Sequence, residues 1–303
     1  MDLIEKIINK KSRVIFLLIF LSIAVISAEP FSLDDKRNIN DANISIFPFT
    51  INDSATGKIK SAFFARDSYN SFLKLKDSVQ VLFVSSASYA SSVNKNANYP
   101  VGFCAENGKL LNKIPHQTMD GLVLIHNNEP EINTMQVIDL DKENYTCNDG
   151  KCYPYFSTDN IRNNPEETFS FIDLVETQNI SSFQTQLVYT NYKSDKENFK
   201  NLTNGDNDRS RRFLAICEKD NQLYHIILDS TEENYLMTSA LDAIDYLRQA
   251  NYDVRKMINL DTGSKDIMYV REDGLLKNYR PNPLTSSSKI ENAASLLVYY
   301  RDL

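Results

Sequence analysis

Short apolar runs separated by polar turn residues recur along most of this chain, and this pattern favours β-strands over long helices. Between some of the runs, Asn-Gly and Asp-Asn pairs supply the positive φ angles that tight hairpin turns need. The predicted strands are 44–51, 79–85, 101–105, 109–112, 122–126, 135–140, 214–218, 223–228, 257–260, 267–270 and 294–300. Successive hairpins with few helices predict an α+β fold, a single domain around a mixed, largely antiparallel sheet.

One segment has helical rather than alternating spacing. Apolar residues between 240 and 247 recur every three or four positions. Ser239 and Asp242 have the S-x-x-D spacing of a capping box, and Asn251 is a plausible stop. We therefore expect an amphipathic helix that packs on the sheet, whereas the charged, Asn-rich stretch 193–212 is predicted to be a surface loop.

The N-terminus has the pattern of an export signal. Four basic residues between 6 and 13 precede the uncharged stretch 14–28, which is short for a membrane span. The predicted division is a signal peptide or N-terminal anchor at 1–28, a polar linker or first strand at 29–58, and the domain at 59–303. Either way we expect a secreted, periplasmic or otherwise extracytoplasmic protein, which contacts a membrane only if the first segment is not cleaved.

Composition narrows the class of protein further. With 42% hydrophobic and 11% aromatic residues, the chain can bury a sizeable core. The net charge is −7, and no Lys/Arg cluster stands out in the body of the chain. Nucleic acid is therefore not an expected partner, because its phosphates require a basic surface.

Export would place the four cysteines in an oxidising compartment, where disulfides form. Cys147 and Cys152 bracket a turn-forming tetrapeptide, whereas Cys104 and Cys217 each lie in an apolar run. Two disulfides are the natural count outside the cytosol, and the alternative is that the second pair are buried thiols. No paired C-x-x-C and no neighbouring histidine pair is present, so we predict neither a metal site nor a cofactor. The three histidines stand singly and are predicted to be structural.

The stretch Asp261-Thr262-Gly263 matches the active-site triplet of aspartic proteases. That chemistry needs two aspartates that share one proton. The chain has no second D-T-G or D-S-G, and only 42 residues follow Asp261, too few for the rest of such a fold. We therefore disfavour a protease.

Several segments between about 80 and 300 occur in the order found in another family. They are Val84 to Tyr89, Pro100 to Phe103 with Asn107 to Lys109, Arg212 before the 214–228 hairpin, the predicted helix followed by Asn259 to Ser264, and Ile290 to Ala293 before the last strand. Together they resemble the phosphodiester glycosidase domain, the family of the enzyme that removes N-acetylglucosamine from a phosphodiester.

This resemblance implies an active site. The Asp261 carboxylate would assist at the anomeric carbon, and Arg212 would hold the phosphate bidentately. Asp266 would add a second carboxylate. The residues expected to bind substrate are Asn259, Thr262, Gly263, Ser264, Lys265, Ser86 and Gly102.

Departures from the family pattern are equally informative. Ser86 and Ser88 stand where the family has Asn and Gly, Phe213 follows the arginine where Thr or Ser is expected, and 262–266 replaces a glycine-rich run. Glycines at such points let backbone N–H groups approach an anion closely, so their loss indicates an eroded site. Asp261 could instead cap a tight turn through backbone N–H groups, and Arg212 could instead be a surface charge.

Two functions therefore stay open at the level of sequence. The first is an exported phosphodiester glycosidase-like protein whose eroded site is weakly active or only binds a glycosyl-phosphodiester. The second is a non-catalytic module that binds a glycan or an envelope partner on the same fold.

Overall fold

The computed structural model describes part of the chain outside the predicted signal segment 1–28. The described residues are 37–39, 42–51, 58–90, 100–126, 134–141, 145–148, 151–157, 161–162, 165–200, 202, 209–262, 266–279 and 289–303. Of the predicted site, residues 263–265 lie outside these ranges.

Strands dominate the described residues, with a few short helices between them. The strands are β1 (Arg37–Ile39), β2 (Ala42–Thr50), β3 (Lys60–Phe64), β4 (Val79–Ser86), β5 (Cys104–Glu106), β6 (Lys109–Asn112), β7 (Gly121–His126), β8 (Thr134–Asp139), β9 (Tyr145–Asn148), β10 (Lys151–Ser157), β11 (Ile180–Thr190), β12 (Arg209–Lys219), β13 (Gln222–Asn234), β14 (Asp253–Leu260), β15 (Met268–Glu272), β16 (Leu275–Asn278) and β17 (Leu296–Asp302). The helices are α1 (Ser68–Lys76), α2 (Pro165–Thr177), α3 (Asp195–Lys200) and α4 (Leu236–Gln249), with a 3₁₀ turn at Ile290–Asn292. Within the described ranges, no helix combines the length and the hydrophobicity needed to cross a bilayer.

The strands form two main sheets and a separate hairpin. The large sheet has the order β1-β2-β13-β12-β14-β11-β5-β6, with β7 also paired to β11 and β8 paired to β7. The small sheet has the order β16-β15-β4-β17-β3, and β9 pairs with β10. Each of these pairings is antiparallel. The predicted α+β class with antiparallel sheets is confirmed, but the described strands divide between sheets instead of forming one mixed sheet.

One face of the large sheet packs on the small sheet through aromatic side chains. Phe49 on β2 stacks on Tyr299 of β17 with ring centroids 4.2 Å apart, and Phe63 on β3 stacks on Phe183 of β11 at 4.7 Å. These four rings are buried. The sheets therefore form a sandwich whose interior is largely aromatic, because such rings bury much apolar surface per residue.

Helices cover the outer faces of this sandwich. On the large sheet, α4 and α2 lie over two separate hydrophobic clusters, and α1 lies over a third cluster on the outer face of the small sheet. The α4 cluster includes Ile46, Phe213, Leu228, Ala240, Ile244 and Met257, and the α2 cluster includes Phe103, Leu122, Leu124, Phe171 and Val175. Burial of these apolar faces supplies the main driving force for folding.

The predicted helix exists, but its start was placed wrongly. It begins at Leu236 after Tyr235, which makes no side-chain cap. Ser239 lies inside the first turns, and its buried Oγ has no hydrogen-bond partner in the part of the chain that the structure describes. The capping box is therefore wrong. The helix ends where expected, since Asn251 adopts a positive φ of 61° just after it.

The stretch predicted as a surface loop, 193–212, contains regular structure at both ends. Helix α3 occupies Asp195–Lys200, and β12 starts at Arg209. Ser194 caps α3, because its Oγ accepts the N–H of Glu197 while its own N–H donates to the Glu197 carboxylate. The charged, Asn-rich composition predicted a loop where a short capped helix is present.

Cys104 and Cys217 are free, buried thiols, so the disulfide predicted between them is wrong. They lie on β5 and β12, and strands β11 and β14 run between these two. Two intervening strands separate the thiols by about 14 Å, beyond the roughly 7 Å between Cα atoms that a disulfide can span. Burial raises the pKa of both thiols, which keeps them protonated.

The hairpin of β9 and β10 places Cys147 directly opposite Cys152. Opposed Cα atoms in an antiparallel pair lie about 4.5–5.5 Å apart, within the range of disulfide-linked residues. The disulfide between these two cysteines remains a prediction.

His225 lies on β13 in the interior of the sandwich, where its Nδ1 is 3.2 Å from the Tyr299 hydroxyl. Burial lowers the pKa of His225 from 6.5 to about 3. The folded protein therefore keeps this imidazole neutral at pH values where the unfolded chain protonates it.

This difference predicts an acid-sensitive fold. Because the unfolded chain binds the extra proton between pH 6.5 and 3, stability falls as the pH drops through that window. The contribution of His225 amounts to roughly 2 kcal/mol of unfolding free energy lost between pH 7 and 5. We expect His225→Leu to lose less stability than the wild type over this range in urea unfolding. The half-buried His116, changed to Gln, is the control, and an equal slope in His225→Leu would refute the assignment.

Candidate functional site

Strand β14 organises the predicted site, since it lies between β12 and β11 and ends at Leu260. Asn259 is opposite Phe213 on β12 and Gln186 on β11, whereas Leu260 is opposite Arg212. Neighbouring residues of a strand point to opposite faces. The structure therefore puts the side chains of Asn259 and Arg212 on opposite faces of the large sheet, and the two do not converge.

Arg212 lies in the interior of the sandwich and is fully buried. Its Nε donates to Asp229 Oδ1 at 3.0 Å. Nη1 donates to Ser85 Oγ at 3.2 Å and to the carbonyl of Ile267 at 3.1 Å. Nη2 donates to Asp266 Oδ1 at 2.7 Å. Each nitrogen of the guanidinium therefore has a partner from the protein itself.

The surrounding charges keep this guanidinium ionised. Burial alone would lower the pKa of Arg212, but Asp229 and Asp266 together raise it above its ordinary value. The Asp229 side chain is fully buried, whereas that of Asp266 is 22% exposed. Asp266 thus lies on the solvent side of the ion cluster. The alternative of a surface charge at 212 is wrong, and a phosphate would compete with Asp266 for the guanidinium.

Asp261 follows directly after β14 and is held by its backbone. Its N–H donates to the carbonyl of Ala87 at 3.0 Å, and its carbonyl accepts from Ser86 Oγ at 2.7 Å. Ser86 Oγ also accepts from the N–H of Ile267 at 3.4 Å. Ser86 therefore joins both ends of the 261–267 segment, while the Asp261 residue retains 7% of its surface exposed.

Two more of the expected substrate-binding residues have structural contacts. Thr262 Oγ1 donates to the carbonyl of Ser210 at 2.8 Å. Gly102 has a φ of +78°, and a Cβ there would lie 2.5 Å from Gln184 Oε1, which accepts the N–H of Phe103. Only glycine fits this position, because both the backbone angle and the close approach exclude a side chain.

The opposite face of the sheet carries a polar group that includes Asn259. Asn259 Nδ2 donates to the hydroxyl of Tyr89 and, at 3.1 Å, to Gln186 Oε1. The Tyr89 hydroxyl donates to the same Gln186 oxygen at 3.2 Å. Asn259 Oδ1 is buried and has no hydrogen-bond partner among the described residues. Tyr89, Gln186 and Asn259 thus form a bonded triangle with one acceptor atom unused, which we call the amide triangle.

Sequence reasoning missed Gln186 and did not assign a role to Tyr89. Tyr89 belongs to a segment that carries the family resemblance, where an aromatic residue is expected. Gln186 follows a stretch of mixed polarity with no clear strand period. The sequence signal for a functional role was a glutamine directly before the apolar half of β11. That role becomes apparent only from the pairing of Gln186 with Asn259.

No protein-family model and no curated protein sequence matches this chain. Among solved structures, the catalytic domain of zebrafish N-acetylglucosamine-1-phosphodiester alpha-N-acetylglucosaminidase, auto-inhibited by its pro-peptide, aligns over 88% of this chain and 86% of that chain, with 15% identity and a TM-score of 0.45. A hypothetical protein from Synechocystis aligns over 87% of this chain and 61% of that chain, with 10% identity and a TM-score of 0.45.

The ion cluster of Arg212 predicts a large stability effect. Arg212→Leu removes the guanidinium and leaves the Asp229 carboxylate buried without its partner, so we expect a loss of about 3–5 kcal/mol in the free energy of unfolding. Urea unfolding at neutral pH measures this loss. Arg209→Leu, at a half-buried position on the same strand, should cost far less. Similar losses in the two variants would show that the cluster does not support the fold.

Proposed function

We propose that this chain is an exported, phosphodiester glycosidase-like protein that binds a glycan at the end of β14 and does not hydrolyse it. The resemblance of the collinear segments to the phosphodiester glycosidase domain supports the glycosidase-like part of this proposal. The observation that carries the absence of hydrolysis is the state of Arg212. Its buried guanidinium is saturated by Asp229, Asp266, Ser85 and the Ile267 carbonyl. A glycosyl-phosphodiester would need that guanidinium for its phosphate.

The carboxylates also support binding without catalysis. Hydrolysis of a glycosidic bond generally uses two carboxyl groups that flank the same bond. Asp266 is paired with Arg212 at 2.7 Å, inside the ion cluster. Asp261 follows Asn259 by two residues, and the side chain of Asn259 is on the opposite face of the large sheet from Arg212. The two aspartates therefore have different surroundings and do not form a working pair.

Export is part of the proposal and has two supports. The basic segment before the uncharged stretch 14–28 has the pattern of a signal peptide. The β9–β10 register opposes Cys147 to Cys152, and a disulfide between them would form in an oxidising compartment. The proposed location is secreted, periplasmic or otherwise extracytoplasmic, with an N-terminal anchor if the signal is retained.

Turnover and binding can be separated experimentally. We expect purified protein to release no more sugar from an N-acetylglucosamine-phosphodiester analogue than Asp261→Asn does, while a panel of immobilised glycans retains the wild type. Product release would be followed by chromatography and retention by surface plasmon resonance. Turnover that depends on Asp261 would replace this proposal with an active hydrolase. Absence of any retained glycan would end the binding proposal.

The position of Asp266 predicts a hidden anion site. In Asp266→Ala the guanidinium loses its solvent-side carboxylate, and inorganic phosphate should take that place. At a phosphate concentration tenfold above its dissociation constant, the variant should gain about 1.4 kcal/mol of stability, seen as a higher Tm than in chloride at equal ionic strength. The wild type should show no such gain.

The matched control is Asp273→Ala, which removes a carboxylate from the exposed turn between β15 and β16. This control should behave like the wild type. An equal phosphate effect on all three proteins would mean that Asp266 does not occupy an anion position.

A further inference from the structure

An opening in the outer layer of the large sheet is visible from the burial of β11. This strand lies in the middle of the sheet, and of its eleven residues Gln186 is the one that is partly exposed. A central strand is normally covered along its whole length. The exposure of Gln186 therefore marks a place where the covering layer is interrupted.

The pattern along β11 explains the interruption. On the face covered by helices, Ile180 belongs to the α2 cluster and Val188 to the α4 cluster. Between them on the same face lie Ser182, Gln184 and Gln186, with Asn259 opposite the last. Neither helix covers this polar stretch with an apolar cluster. The amide triangle lies in the gap between the two.

Tyr89 is fixed at this gap by its backbone. Its carbonyl accepts the N–H of Val101 at 2.7 Å, next to the bridge between Ala90 and Pro100. The side chain is half-buried, and its hydroxyl bonds both amides of the triangle. A half-buried aromatic ring beside two carboxamides suits a sugar chemically, since the ring can contact C–H groups while the amides bond to hydroxyls.

The unused acceptor is the second, independent sign of a ligand. A buried carboxamide oxygen without a partner costs about 1–3 kcal/mol. Both hydrogens of Asn259 Nδ2 already have acceptors within the triangle, so a group that satisfies Oδ1 must donate a hydrogen bond. A sugar hydroxyl placed beside the amide triangle would supply such a donor. An anion that has only acceptor oxygens, such as sulfate, would not.

We infer that Tyr89, Gln186 and Asn259 form the subsite of this protein for a neutral sugar ring, with Tyr89 as the aromatic wall and the two carboxamides as the floor. This inference rests on the proposed glycan-binding function and specifies its ligand class. The three side chains carry no charge, and the buried guanidinium of Arg212 is on the other face of the sheet. Recognition is therefore by hydroxyl groups and not by phosphate.

The test measures binding of neutral saccharides to the full chain by isothermal titration calorimetry, with inorganic phosphate as a competitor. Tyr89→Ala should weaken binding about tenfold or more, and Tyr89→Phe, which keeps the ring, by a smaller factor of about 2–10. Gln186→Ala should weaken it by a similar small factor. The control is Phe169→Ala, which removes an exposed aromatic ring from α2 and should leave the affinity unchanged. The Tm of each variant shows whether it is folded.

The outcomes separate this inference from the proposed function. Binding of a neutral saccharide that falls in the Tyr89 and Gln186 variants, and that phosphate does not displace, supports the subsite. Binding that is equal in all folded variants, or that requires a phosphorylated sugar and is displaced by phosphate, overturns the subsite and leaves the glycan-binding proposal standing. A wild type that binds no saccharide overturns both.

Discussion

Burying an arginine between two sheets is costly unless its charge and its donors are all satisfied, and Arg212 meets that condition with groups from several strands. Asp229 comes from the neighbouring strand β13, whereas Ser85 is on β4 of the small sheet. Asp266 and Ile267 immediately precede β15, another strand of the small sheet. The cluster therefore fixes how the two sheets meet at this end of the sandwich. Because the guanidinium of Arg212 bonds entirely within the fold, it is not available to bind a ligand.

Buried polar side chains also bond within the protein on the opposite face of the large sheet. Gln184 is fully buried and bonds to the backbone of Phe103, His116 and Met119, so a polar side chain here replaces secondary-structure bonds. The side chain of Gln186, two residues later, bonds to Tyr89 and Asn259 and is partly exposed to solvent. One strand thus contains a fully buried amide that holds loops together and a partly exposed amide at the proposed subsite.

Apolar periodicity predicted most of the sheet strands because these segments are buried and regular. It failed for β11, whose serines, threonines and glutamines bond to neighbouring strands and loops inside the fold. For α4 the periodicity held and only the predicted capping box was wrong, because the helix starts after Tyr235 without a side-chain cap. Asp261, Asn259 and Ser86 lie near one end of β14. Arg212 lies on the other face of the sheet from Asn259, and that placement follows from strand register, which a single sequence does not specify.

Strand order also has a consequence for how the chain acquires its structure. In the small sheet β3 pairs with β17, and in the large sheet β2 pairs with β13, so early segments find their partners only among much later ones. Such high contact order makes folding slow, since large loops must close before the pairings form. During synthesis β3 must wait for β17 with an open edge, and an exposed edge of that kind favours chaperone capture over early folding.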